Sequence, residues 1–393
     1  FNLIYLFIPT HAYAFQKEKK MSAPPPNDFL TSCIKTKTLS AKDNSGKMIR
    51  HYIHRRPVGP ADVHISITYS GICHSDIHTA RDEWGSKQYP LCVGHEIMGV
   101  VKAVGGDVTK FKVGDYAGVG CFTDSCRNCE NCEEGNEQFC LNGMEGTYGR
   151  GGKDEKKHPG GVTQGGYSSD IVVDENYVIR IPTKMYKPAV APLLCAGITC
   201  FSPFMHHGIK KGVNLGIVGL GGLGHMGLKI GKALGAEVTV FSRTDAKREI
   251  AMSLGADKYV VSSDPEQMKA AKNTLHFIYN SIAADVNPKP YIDCLKARGT
   301  MIVVGAMPKG GMPRGTFDVI VGSKQIAGSL IGGIRETQEM IDFCAEHDVV
   351  SEIELIEATP EAVDEAWDRT VKGDIKFRFV IDTAATLKGP DEV

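Results

Sequence analysis

Cys126, Cys129, Cys132 and Cys140 fall in the order Cys-x2-Cys-x2-Cys-x7-Cys. Four thiolates at those intervals can converge on one tetrahedral ion, and the spacing reads as a structural zinc lobe. Cys-x2-Cys-x2-Cys also opens a bacterial ferredoxin run, but there the fourth cysteine follows after three residues and precedes proline. Here it follows after seven and precedes Leu141. The residues between, among them Arg127, Asn128, Glu130, Asn131 and Gly135, are polar and turn-forming, as in a loop that folds around its ion.

A second set of ligand types is more dispersed. Cys73 and His74 open Cys73-His74-Ser75-Asp76-Ile77-His78, His95 and Glu96 follow Gly94, and Cys195 ends Pro192-Leu193-Leu194-Cys195. Two thiolates and one imidazole leave a fourth coordination position for water or a substrate oxygen, the arrangement of a catalytic zinc. Spacing alone does not establish this set, because a lone buried Cys or His usually packs.

Gly219-Leu220-Gly221-Gly222-Leu223-Gly224 matches G-x-G-x-x-G, follows the apolar run Leu215 to Val218 and opens a helical pattern to about Leu234. Between a strand and a helix, such a loop offers backbone N–H groups and a helix N-terminus to a pyrophosphate. An NAD site normally places Asp or Glu about 20 residues on, at the end of the second strand. That end reads Phe241-Ser242-Arg243-Thr244, while Glu237 lies at the strand's beginning. Arg243 and Lys247 can meet a 2′-phosphate by charge and Ser242 by its hydroxyl, so NADP is favoured. Asp245 is placed to cap the helix that follows.

The elements that must hold these groups fall into two styles. From about Lys35 to Pro182 short β-rich segments are punctuated by Gly and Pro, as in Val63 to Tyr69 and Met98 to Gly105. From about Ala189 to Ser323 apolar strand-like runs alternate with helical patterns, which implies a doubly wound parallel sheet. The expected division is an N-terminal segment 1–28, a β-rich domain 29–188 carrying the zinc lobe at about 121–145, a nucleotide domain 189–325, and a return 326–393 to the first domain. That return carries helices near Glu336 to Glu346 and Glu361 to Val371 and a strand Lys376 to Ile381.

The chain has 393 residues, more than one core usually organises, and 45 basic against 46 acidic side chains. That balance gives no footprint for nucleic acid. No stretch approaches the ~20 apolar residues that span a bilayer, and no membrane partner is expected. Twelve cysteines, four in one lobe and others beside His, suit ligands and buried thiols in a reducing, cytoplasmic setting. Two readings of the first twenty residues stand. Phe1 to Ile8 with Ala12-Tyr13-Ala14 has the look of a truncated targeting peptide; the preferred alternative starts translation at Met21.

Taken together, Gly71-Ile72-Cys73-His74-Ser75-Asp76, Gly94-His95-Glu96, the four-cysteine lobe, Leu193 to Thr199, the glycine loop, Ile326 to Gly333 and Arg378 to Asp382 resemble a zinc-dependent medium-chain alcohol dehydrogenase. The branch resembled is that of cinnamyl alcohol dehydrogenases and NADP-dependent aldehyde reductases. The resemblance covers about Phe29 to Asp382 and implies a GroES-like β-rich catalytic domain with a Rossmann domain, α/β plus β in class, and a homodimer. It implies that Cys73, His95 and Cys195 hold a catalytic zinc, with Glu96 able to approach it, and that Cys126, Cys129, Cys132 and Cys140 hold a second, structural zinc. It places Ser75 at the substrate oxygen, His78 on the proton's path to solvent, Thr199 and Ser329 along the cofactor and Ile331 near the nicotinamide. Trp84, Cys121 and Phe122 would line the substrate pocket. The implied reaction passes hydride between NADP(H) and a primary alcohol/aldehyde pair, aromatic or aliphatic, mainly as aldehyde reduction. The alternative is a catalytically idle relative that binds NADPH as a sensor or structural protein.

Overall fold

The computed structural model describes residues 27–85, 88–149, 156–284, 286–305 and 315–392. The expected targeting or disordered segment lies outside the described residues up to position 26, and a short helix, Asn27–Ser32, spans the boundary expected at 28/29.

Strand Asp62–Gly71 is the axis of a seven-stranded sheet. Its first half pairs with Asp170–Asp174 and its last residues with Arg378–Asp382, while Ile97–Val104 runs antiparallel along nearly its whole length. Beyond these lie Tyr116–Val119 and Ile179–Arg180 on one side and Ile353–Glu357 on the other. The chain's last strand thus completes the sheet begun near residue 62. Helix Pro360–Lys372 closes over it, started by the Thr359 hydroxyl accepting from Ala362 N–H and by Pro360 in the first turn, and stopped by Gly373 at φ 70°. Its Trp367 is fully buried against Tyr167.

The second sheet has six parallel strands in the order Lys258–Val261, Glu237–Ser242, Asn214–Val218, Leu275–Asn280, Leu295–Val303, Gln325–Gly328. Its central strands are buried along nearly their whole length, as helices on both faces require. The order reverses between Asn214–Val218 and Leu275–Asn280, which opens a crevice at their carboxyl ends. Gln325–Gly328 belongs to this sheet, so the parallel layer runs past the boundary expected at 325/326; strand pairing with Leu295–Val303 carries the chain on to Gly328.

Candidate metal and dinucleotide site

Cys73 stands where the strand Asp62–Gly71 turns into helix His74–Ala80, immediately before the first helical residue. Cys195 has the matching place between the 3-10 segment Pro188–Leu194 and helix Ala196–His206. His95 and Glu96 lie just ahead of Ile97–Val104. These approaches bring the ligand atoms of Cys73, His95, Glu96 and Cys195, all buried, within 4.8 Å of one another. The two sulfurs are 3.9 Å apart. Two Zn–S bonds of ~2.3 Å at a tetrahedral angle put sulfurs about 3.8 Å apart, so these thiols are spaced for one shared ion.

Asp76 organises the cluster. One of its oxygens accepts from the Cys73 N–H at 2.9 Å and the Tyr167 hydroxyl at 3.0 Å. The other lies 2.9 Å from His95 Nδ1, which also meets the Tyr148 hydroxyl at 3.0 Å. With Nδ1 so engaged, His95 presents Nε2 as its ligand atom. Glu96 is paired with Arg378, both buried, and its Oε2 has no hydrogen-bond partner among the described residues. An orphaned carboxylate oxygen beside two thiols and an imidazole is a place a cation satisfies. The Cys195 thiol, then the His95 imidazole and Arg378, hold the Cys73 thiol well below its ordinary range against burial. Burial depresses His95, but the Asp76 carboxylate and the Cys121 and Cys73 thiols together outweigh it and hold the imidazole well above its ordinary value. Burial pushes the Glu96 carboxyl up against the pull of Arg378.

Ser75 is on the first turn of the Cys73 helix, and His78 follows one turn later, bonded to Glu83, tilted against His74 and stacked on Trp84, each ring centroid 4.9 Å away. Beside Cys195 opens a small pocket whose lining includes Cys121, Phe122, Leu194, Ile198 and Ile331. Trp84, expected there, is outside this lining and 53 % exposed. The turn after its helix, closed by Glu83 N–H to the His78 carbonyl, folds the indole back onto His78.

The glycine loop lies at the crevice of the parallel sheet. Gly219 leaves the strand at φ 89°, and a Cβ on Gly224 would strike the Gly219 carbonyl oxygen, so the first and last glycines are sterically required. Gly221 precedes helix Gly222–Ala233 and Leu223 lies in its first turn. Lys247 reaches back to donate to the Leu220 carbonyl at 3.0 Å, with its ammonium 5.7 Å from the Phe377 ring. Burial, then the charges of Arg243 and Lys376, lower the Lys247 pKa, so cations gather where the second strand ends at Ser242. Asp245 does not cap the following helix: it opens a 3-10 turn, Asp245–Lys247, the helix Arg248–Ser253 starts after Lys247, and Asp245 bonds Arg248 at 2.6 Å. Thr199 donates to the Cys195 carbonyl at 2.7 Å, and Ser329 N–H bonds Val303 across the edge of the parallel sheet.

The ligand atoms of Cys126, Cys129, Cys132 and Cys140 likewise lie within 4.8 Å of one another. Backbone N–H groups of Cys126 and Leu141 point at the sulfurs of Cys140 and Cys129, at 3.4 and 3.5 Å. Four thiols so spaced fit one tetrahedral ion.

Residues 59–183 match the alcohol dehydrogenase GroES-like domain, and 222–346 match the zinc-binding dehydrogenase domain. NADP-dependent alcohol dehydrogenase C 1 of Mycolicibacterium smegmatis is 49 % identical over 334 residues, 85 % of this chain and 93 % of that protein. A cinnamyl alcohol dehydrogenase from Sorghum bicolor superposes with a TM-score of 0.84 at 41 % identity, covering 90 % of this chain and 99 % of the other. The Helicobacter pylori CAD complexed with NADP(H) gives 0.83 at 41 %, with the same coverage. This chain is a zinc-dependent medium-chain alcohol dehydrogenase of the cinnamyl alcohol dehydrogenase branch. Its Cys73, His95 and Cys195, which together with Glu96 could hold one ion, match in type the Cys2His set of catalytic zinc in alcohol dehydrogenases.

Three residues of this dehydrogenase's metal site escaped sequence reasoning. Asp76 carried a readable signal, a carboxylate three residues after a thiol ligand, since a ligating imidazole needs a partner for its other nitrogen. Tyr148 and Arg378 carried none, because each meets its partner only through the fold: Glu96 and Arg378 are 282 residues apart in sequence.

Proposed function

We propose that this dehydrogenase reduces aldehydes to primary alcohols with NADPH, binding the aldehyde in the pocket bounded by Cys121, Phe122 and Ile331. The observation that carries this reading is the meeting of Cys73, His95 and Cys195 beside that pocket, with the glycine loop on the adjoining crevice. When bound, the zinc supplies Lewis-acid polarisation of a carbonyl oxygen and the dinucleotide supplies hydride. Asp76 fixes the His95 ring and the Cys73 backbone, so the ligands are held before anything binds. Ser75 holds a hydroxyl at the substrate oxygen and hands its proton on, and His78, under Trp84, connects that hydroxyl to solvent. Ser242, Arg243 and Lys247 bind the 2′-phosphate. The apolar lining of Phe122, Leu194, Ile198 and Ile331 suits aromatic or aliphatic aldehydes, cinnamyl-type among them.

We further propose a homodimer. Gln325–Gly328 leaves one edge of the parallel sheet unpaired among the described residues, and Phe317, Ile320 and Val321 nearby are 75 %, 61 % and 67 % exposed. Sedimentation equilibrium should return twice the chain mass; a monomer at micromolar concentration contradicts it. The reaction itself is tested by NADPH absorbance with cinnamaldehyde, benzaldehyde and a straight-chain aldehyde. Steady oxidation with at least one is expected, and none with any, at full zinc content, would return the idle-relative reading.

A further inference from the structure

The four-thiolate lobe does more in this fold than hold its own loop. Glu137 lies on the lobe's 3-10 turn Glu137–Phe139, and its carbonyl accepts from Cys140 N–H at 3.0 Å. Its carboxylate leaves the lobe and accepts from Ile334 N–H at 3.1 Å, at the start of helix Ile334–Glu346. Beside it Arg335 donates to the Glu134 carbonyl at 3.1 Å. The two surfaces are in contact: a Cβ on Gly333 would fall on the Gly135 carbonyl oxygen and within 2.7 Å of Glu137 Oε2.

The segment so gripped is the one that borders the pocket. Ile331, Gly332, Ile334 and Thr337 all line it, and Ile331 is buried at φ 40°. A β-branched residue in the left-handed region is a costly conformation, which persists only where its surroundings over-determine it. Here the surroundings are identifiable. Upstream, Ser329 N–H is bonded to Val303 in the parallel sheet; downstream, Gly333 and Ile334 are pinned by Glu336 and by Glu137. Of these anchors, Glu137 alone belongs to the four-cysteine lobe.

We propose that Glu137 is a positioning residue for the dinucleotide: through its bond to Ile334 N–H it holds Ile331 and Gly332 in the conformation the nicotinamide end of NADPH meets, coupling the four-thiolate lobe to the cofactor site. This rests on the NADPH reading above. Glu137 acts through the Ile334 N–H and the segment that follows Ile331, so its loss weakens binding and leaves the chemical step intact.

The test uses the zinc-loaded protein, with NADPH affinity by calorimetry, metal analysis and steady-state kinetics. Glu137→Ala should keep both zincs, raise the Kd and KM for NADPH about tenfold and leave kcat within about twofold. Glu137→Gln, whose amide oxygen still accepts from Ile334 N–H, should stay within about threefold of the parent. Gly333→Ala, which leaves the lobe's own residues untouched and pushes it away from the helix side, should weaken NADPH as Glu137→Ala does. Unchanged NADPH affinity in Glu137→Ala and Gly333→Ala, or equal weakening in Glu137→Ala and Glu137→Gln, would overturn the proposal. A parent protein that binds no NADPH would refute the functional reading itself.

Discussion

The proposed work of metal, proton and phosphate is divided among single side chains. Ser75→Ala removes a hydroxyl from the first turn of the Cys73 helix without touching a ligand. It should cut kcat by ~10²-fold while zinc content and NADPH affinity hold, since a positioned proton donor contributes on that order; unchanged turnover dismisses the relay. At the other end of the cofactor, Arg243→Asp should weaken NADPH far more than NADH if, as proposed, Arg243 serves the 2′-phosphate that NADH lacks. Equal losses measured by titration with both cofactors would place the phosphate elsewhere. Both residues were legible in the sequence as candidates because each sits at a fixed offset from a motif, Ser75 two residues after Cys73 and Arg243 just past the strand that follows the glycine loop. Arg378 was not, since its pairing with Glu96 exists only after the last strand joins the sheet.

Among the elements, the helix Gly222–Ala233 does two jobs. Its N-terminus faces the dinucleotide crevice, and His225 on its first turns ties it to the catalytic sheet's side of the molecule. His225 Nδ1–H donates to the Gly221 carbonyl at 3.2 Å, Nε2 accepts from the Ser351 hydroxyl at 3.0 Å, and the ring stacks on Phe377. Burial holds this imidazole down at about 3, from an ordinary 6.5. Between those values the unfolded chain binds a proton that the folded chain refuses. Stability is therefore fully present above about pH 6.5 and is lost as pH falls toward 3. His225→Phe keeps the ring and abolishes the titration, so its denaturant midpoint should fall less steeply than the parent's between those pH values. Identical slopes would show that His225 is not the group responsible. Helix and strand positions were readable from period and punctuation, with ends displaced by a residue or two: Ile334–Glu346 for Glu336 to Glu346, and Arg378–Asp382 for Lys376 to Ile381. The sheet membership of Gln325–Gly328 was less so, because a four-residue strand carries too little pattern to show which layer claims it.

At the scale of the molecule, two sheets meet so that ligands from separated stretches of chain enclose one small volume. Cys73 and His95 come from the antiparallel sheet and Cys195 from the segment leading into the nucleotide domain, so metal binding and the seating of that domain depend on each other. That convergence followed from recognising several short motifs in order, which no single spacing supplies. The spacing of Cys126 to Cys140 was legible by itself because a local loop closes it. The most direct measurement is anomalous diffraction at the zinc edge from crystals grown with NADPH. Two peaks per chain are predicted, one among Cys126, Cys129, Cys132 and Cys140, the other bound by Cys73, His95 and Cys195 with the nicotinamide ring beside it. A single peak in the four-cysteine lobe, with full NADPH occupancy, would contradict the catalytic assignment.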